Sequence, residues 1–334
     1  MTIPQPTASA RSSGHGGALG RRRWQPPMGL VRAFAWAAVI TNGLIAVTGA
    51  TVRVTGSGLG CKTWPQCQPG SLVPEYRTGL AAIHQAIEFG NRTITGLVLV
   101  ASLGAFVLIA LLRPVRRQLL WIAAIGPVGV LFQAVWGGIV VYTGLRWWTV
   151  APHLVVSLVL LFAAVVVLVR LREGDGPARP VVPRPLQVLG WLTVAELAAL
   201  CVAGTLVTAA GPHAGDVNTP RLGLPVANLA QLHADLMFLY LGLMVALGVG
   251  FLAVRAPKRL LIRTGVLVAV TMAQGAIGLV QYALGVPELL VLLHVLGAVC
   301  LIAAAAAVVM ATRTREAIPV AIPNAPDTAA TTPE

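Results

Sequence analysis

Eight long apolar runs, separated by short charged stretches, constrain this chain more than any other feature of its sequence. A helix that crosses a bilayer needs about 20 apolar residues. The runs fall at roughly 30–52, 82–112, 118–142, 149–171, 186–210, 228–254, 259–284 and 287–312, each near or above that length. Lipid offers no hydrogen bonds, so a spanning backbone must satisfy its own N–H and C=O groups, and runs of this length do so as helices. Charged residues make up only 10% of the chain, against about 25% in soluble domains. Most of the surface therefore has no water to face. The expected fold class is all-α: a polytopic membrane protein with eight transmembrane helices.

The formal net charge of +13 raises the question of nucleic acid, but the charges are not arranged along one face. They cluster between the apolar runs, which is an orientation signal. With both termini in the cytoplasm, most of the 24 lysines and arginines fall on inside segments. The exceptions are Arg53, Lys62, Arg77, Arg92, Arg146 and Arg221, and Arg92 lies within a helical run. The loops 53–81 and 211–227 then face outward. No nucleic-acid partner is expected. Residues 1–27 read as a disordered basic tail, and 313–334, rich in Ala, Pro and Thr, as a second. The first apolar run is too long for a signal-peptide core and reads as an anchor. A multi-pass protein of the cell membrane results.

An internal repeat organises the eight runs. At a shift of 141 residues, Gln133 falls on Gln274, Gly137 on Gly278, Gly144 on Gly285 and His153 on His294. At a shift of 155, Gly49, Val52 and Gly56 fall on Gly204, Val207 and Gly211. The chain divides into two pseudo-symmetric four-helix bundles, 28–172 and 186–312, joined by a cytoplasmic linker at 173–185. An even number of helices per half keeps both halves in the same orientation.

Four of the six histidines lie in helical runs: His84, His153, His233 and His294. All lie toward the outward ends of even-numbered helices, and so at similar depth. Ionisable groups in lipid are costly and usually functional. A lone histidine of this kind is most simply a core residue bonded to a neighbouring helix; several at one depth, two of them related by the repeat, point to a ligand set. A bare zinc or copper ion needs ligands converging in one cluster. A heme instead takes one axial histidine on each face, bridging two helices. Near the outward surface, Arg53, Arg77, Arg92, Arg146, Trp147 and Trp148 are candidates for its propionates.

Three acids also lie in helical runs. Glu88 is one turn from His84 on the same face; it is followed by Arg92 at the next turn, so a plain intrahelical ion pair competes with a chemical role. Asp235 and Glu196 read first as structural hydrogen-bonding groups. Cys201 and Cys300, inside apolar runs, read as small buried hydrophobes. Cys61 and Cys67 share the outer loop. A short turn on the oxidising face permits a disulfide, two unpaired thiols are the alternative, and a metal site lacks a second pair.

The stretch Arg53-Val-Thr-Gly-Ser-Gly-Leu-Gly-Cys61, followed by Trp64-Pro65-Gln66-Cys67 and Ile87-Glu88-Phe89, resembles heme A synthase. That resemblance implies oxidation of the C8 methyl of heme O to a formyl group by two hydroxylations and loss of water. The product, heme A, serves terminal oxidases. It implies heme b in the C-terminal half with His233 and His294 as axial ligands to iron. It implies a substrate heme in the N-terminal half with His153 as one ligand. Glu88 matches a glutamate associated with catalysis, and Cys61 and Cys67 match a disulfide that supports heme or electron transfer. The implied partners are the bilayer, heme O, the heme O synthase that supplies it, and an electron donor or acceptor; homo-oligomers are compatible with it.

One departure stands out. The family often has histidine three residues after the glutamate, and here that position is Asn91. The repeat points to the same place: His233 precedes Gln274 by 41 residues, and the same step back from Gln133 reaches position 92. His84 lies seven or eight residues too early, about 10 Å along the helix axis. Either the substrate heme is ligated differently, or His84 serves elsewhere as a proton relay with Glu88 or a propionate contact. Two other classes stand as alternatives. A b-type cytochrome that only relays electrons explains the histidines but not Glu88 or the cysteine loop. A transporter explains the repeat but not histidines at one depth.

Overall fold

The computed structural model describes residues 24–75 and 78–316. Among them are eight helices long and apolar enough to cross a membrane. They are α1 (Met28–Val54), α2 (Leu80–Ala110), α3 (Arg117–Tyr142), α4 (Trp147–Arg170), α5 (Arg184–Ala210), α6 (Val226–Ala253), α7 (Lys258–Ala283) and α8 (Glu288–Ala311). Every expected run is a helix, with ends within a few residues of those read from hydropathy. Five helices start directly after a proline: Pro27, Pro183, Pro225, Pro257 and Pro287. Proline fixes φ and cannot continue a preceding helix, so it sharpens the start.

In the first half α1 packs on α2 and α4, and α3 packs on α2 and α4. In the second, α5 packs on α6, α7 on α8, and α8 also on α5. The halves meet where α8 lies against α1 and α4. There Gly43 matters: a Cβ at that position would come within 2.9 Å of the Val299 side chain. The largest apolar cluster runs through this seam, joining Ala46, Leu158 and Leu161 to Leu197, Tyr240, Leu247 and Leu301. Large apolar side chains such as Trp121 and Leu279 are more than 70% exposed on the outside of the bundle. In a multi-pass membrane protein that outer surface faces lipid rather than water.

The repeat is visible in local geometry. Gly144 and Leu145 both have positive φ (67° and 60°), and so do Gly285 and Val286 (73° and 64°). In each turn the second residue donates its N–H to a carbonyl five residues back, Leu145 to Val140 at 2.9 Å and Val286 to Gln281 at 2.8 Å. This is the long-range bond of a Schellman stop, used twice to join α3 to α4 and α7 to α8.

Two expectations need correction. Composition starts the C-terminal tail at residue 313, but the ordered chain runs on: β2 (Arg313–Thr314) pairs antiparallel with β1 (Arg179–Pro180) in the linker. Val181 also donates to Thr312 O at 2.9 Å, and Gly174 to Glu316 O at 2.6 Å. Backbone pairing supplies the order that composition does not suggest. The expected tails otherwise lie in 1–23 and 317–334, outside the described residues. Cys300 is exposed rather than buried, and Cys201 is half-buried. An apolar residue on the lipid face of such a bundle needs no burial in protein.

Candidate functional site

In the second half the imidazoles of His233 (α6) and His294 (α8) face each other, their ring centres 6.3 Å apart and the planes at 63°. Nδ1 of His233 lies 3.1 Å from Leu200 O on α5, a bond that holds Nδ1–H and turns Nε2 outward. Glycines make room for the rings. A Cβ at Gly204 or at Gly278 would come 3.1 Å from Cε1 of His233 or His294. Gln274 on α7 donates Nε2–H to the backbone oxygen of His294 at 2.7 Å.

These residues fit a heme. A metal–imidazole bond is about 2.0 Å, which puts each ring centre about 3 Å from the metal. Two rings sharing one iron should then sit about 6 Å apart, and the observed spacing meets that. Among the described residues no three His, Cys, Asp or Glu side chains converge as a bare-ion site would need.

The first half repeats half of this arrangement. Gln133 on α3 donates to His153 O on α4 at 2.7 Å, and also to Ser157 Oγ at 2.7 Å. Gly137 faces His153 Cε1 as Gly278 faces His294. In both halves the same atoms lack a hydrogen-bond partner among the described residues: Nδ1 of His153 and His294, and Oε1 of Gln133 and Gln274. Where the second half has His233, the first half has Asn91 on α2, lining the same cavity as His153. Gly49 lies against Asn91 Oδ1 as Gly204 lies against the His233 ring. That oxygen accepts a hydrogen bond from Thr48 Oγ1 at 2.8 Å.

His153 and Asn91 share the wall of a cavity of about 490 Å³, with Glu88, Arg92, Gln133 and Trp64. Pockets for small molecules and cofactors run from about 300 to 1,000 Å³. The second half contributes to this wall through Thr205, Thr208, His213, Val291 and Val295. His84 does not line the cavity. Its backbone packs under the outer loop, where a Cβ on Gly60 would lie 2.7 Å from His84 O. Only glycine allows the loop to come that close.

The outer loop is tied down over the cavity. Cys61 and Cys67 form a disulfide, with Cα atoms 4.3 Å apart. Glu88 is buried and uses both carboxylate oxygens: Oε2 accepts from Cys61 N at 2.7 Å, and Oε1 from Arg92 at 2.6 Å. Arg92 also donates to the backbone oxygens of Thr63, Gln66 and Cys61. The competing ion pair is therefore real, and it fastens the loop to α2. Trp64 in that loop packs its ring on Gly138 and accepts a bond from Tyr142 Oη to its carbonyl at 2.7 Å.

Of the propionate candidates, Arg53 and Arg92 are on the cavity wall, while Arg146, Trp147 and Trp148 are not. Arg77 lies outside the described residues. Arg53 donates across the seam to His213 O and Thr208 O, and Gly58 N donates to Gly215 O at 2.9 Å. These loop contacts bring His213 to the cavity; its Nε2 lies 2.9 Å from Val286 O. Nothing periodic in the sequence marks His213, because it lies in a loop. Asp235 is exposed and accepts from Gln231, one turn back on its own helix, at 2.7 Å. Glu196 has a buried Oε1 with no partner among the described residues.

Known proteins resemble this chain over part of its length. The family described as cytochrome oxidase assembly protein (COX15-CtaA) matches residues 32–217, more than half of the chain. A heme A synthase of Lysinibacillus sphaericus (strain C3-41) is 44% identical over 71 residues, covering 21% of this chain and 22% of that protein. A heme A synthase of Bacillus pumilus (strain SAFR-032) is 32% identical over 127 residues, 37% of this chain and 39% of that protein. A protoheme IX farnesyltransferase of Thermus thermophilus is 35% identical over 82 residues, 24% of this chain and 13% of that protein. The matched stretches thus span less than two fifths of each of these relatives. With its eight apolar helices and a family match over more than half its length, the chain belongs to the cytochrome oxidase assembly protein family and is a multi-pass membrane protein.

Proposed function

We propose that this protein is a heme A synthase, a membrane oxidoreductase that converts the C8 methyl of heme O to a formyl group by successive hydroxylations and dehydration. The observation that carries the reading is the pair of rings of His233 and His294, spaced 6.3 Å apart as two ligands of one iron, beside a separate large cavity walled by His153 and Glu88. The likeness to heme A synthases supports it.

On this reading the halves 28–172 and 186–312 have different tasks. His233 and His294 hold heme b, which supplies one-electron transfer when bound. His153 holds the substrate, heme O, and the guanidinium groups of Arg53 and Arg92 attract its propionates. Glu88 accepts protons lost from the methyl carbon. Its two hydrogen bonds occupy two of about four lone-pair sites on the carboxylate, which leaves capacity for a proton. The disulfide loop closes the outward end of the cavity, with Trp64 over the site. An oxidant and an electron donor or acceptor complete the reaction. The likeness to a protein named for farnesylating protoheme IX is in keeping with heme O arriving from a heme O synthase. The protein lies in the cell membrane with both termini cytoplasmic, as its arginines favour.

The test is pigment extraction from cells that make this chain with and without heme O. A formyl heme should appear only when both are present. Heme-loaded protein with no formyl product would leave an electron-relaying cytochrome, and protein without heme would remove both readings.

A further inference from the structure

The two halves differ at one position in a way that concerns what can touch iron. His233 and Asn91 occupy corresponding places. Each lies against the corresponding glycine of the first helix of its half, Gly204 or Gly49. Each is also on the helix opposite the histidine whose backbone oxygen a glutamine holds. An imidazole at the His233 position reaches iron. An asparagine side chain is shorter, its Oδ1 is already the acceptor for Thr48 Oγ1, and amide oxygens suit hard cations rather than heme iron.

No other imidazole takes its place among the described residues. His84 is seven residues before Asn91, about 10 Å along the axis, and does not line the cavity. His213 does line it, but belongs to the outer loop, and its Nε2 is paired with Val286 O at 2.9 Å. Glu88, one turn outward of Asn91, is held by Arg92 and Cys61 N.

We infer that the first-half cavity binds its heme through His153 alone, leaving the iron face toward Asn91 open to a small exogenous ligand. This rests on the reading of the cavity as a heme site. The second-half heme, held between His233 and His294, is closed on both faces. One molecule therefore carries a closed heme beside an open one, and Asn91 sets the difference.

The test uses the full chain in detergent or nanodiscs, loaded with hemin as the probe, reduced, and exposed to carbon monoxide. Part of the heme should be six-coordinate and inert to carbon monoxide, and the rest high-spin and reactive. His153→Ala should remove the reactive fraction and His294→Ala should spare it. Asn91→His should convert the reactive fraction to a six-coordinate, inert form. Asn91→Ala, which cannot ligate iron, should leave it reactive and shows whether loss of the Thr48 contact alone disturbs the site. The inference falls if all heme in the unaltered chain is inert to carbon monoxide, or if Asn91→His leaves the reactive fraction unchanged. Formyl-heme production in cells is scored separately. Formyl product from a chain whose hemes are all inert would sink this inference and keep the proposed function; absence of any bound heme would sink both.

Discussion

The rings of His233 and His294 stand 6.3 Å apart, on helices α6 and α8 that start from the same side of the bundle. Removing either ring should abolish the six-coordinate heme spectrum of the second half. His233→Ala and His294→Ala should each lose that signal, while heme bound through His153 persists. Retention of the six-coordinate spectrum in both variants, read by absorption of the reduced protein, would show that another pair holds it.

The glycines behind the rings are equally testable. A Cβ at Gly204 or Gly278 would stand 3.1 Å from an imidazole carbon, a contact tight enough that the ring must shift. Gly278→Val should weaken heme retention far more than Gly265→Val, because nothing lies within 4 Å of a Cβ at Gly265. Heme release to an excess of a heme-scavenging protein measures this directly.

Gln274 donates to the backbone oxygen of His294. Gln274→Leu removes this second bond while the oxygen keeps its helical N–H partner, so the loss is that of one ordinary hydrogen bond, about 0.5–1.5 kcal/mol. The expected result is a lower thermal midpoint of heme release. Gln133→Leu should act likewise on the first-half site and leave the second-half spectrum unchanged.

Glu88 and Arg92 separate chemistry from loop anchoring. Glu88→Gln keeps the shape but removes the proton acceptor, so heme should stay bound while formyl formation stops. Arg92→Gln keeps Glu88 but cuts the bonds to Thr63, Gln66 and Cys61; the loop should open to protease while formyl heme persists at a reduced level. Normal heme A in cells that depend on Glu88→Gln would refute the role given to that carboxylate.

The disulfide closes a short loop over the cavity. Replacing Cys61 and Cys67 by serine should leave the eight helices intact, since each satisfies its own backbone hydrogen bonds. The replacement should raise protease sensitivity between 60 and 70 and speed exchange of heme from the His153 site. Equal exchange rates in the two proteins would remove the loop from any closing role.

The sequence alone determined the eight spans, because about 30 Å of hydrocarbon accepts only a long apolar helix. It also determined the repeat, since a shared shift of 141 residues carries glutamine, glycine and histidine together, whereas the pairing of His233 with His294 was implied by the family resemblance. The cysteine pairing was open in the sequence and is settled by the fold. The sequence already put Asn91 rather than His84 where a second ligand is expected, and the fold adds that Asn91 shares a cavity wall with His153 while His84 does not. Tertiary structure decided the rest. Only the seam between the halves carries His213 and Arg53 to the cavity wall. Only the folded loop shows that both oxygens of Glu88 hold its backbone and Arg92. Helical periodicity reports which face a residue occupies, whereas contacts between loops distant in sequence leave no period to read.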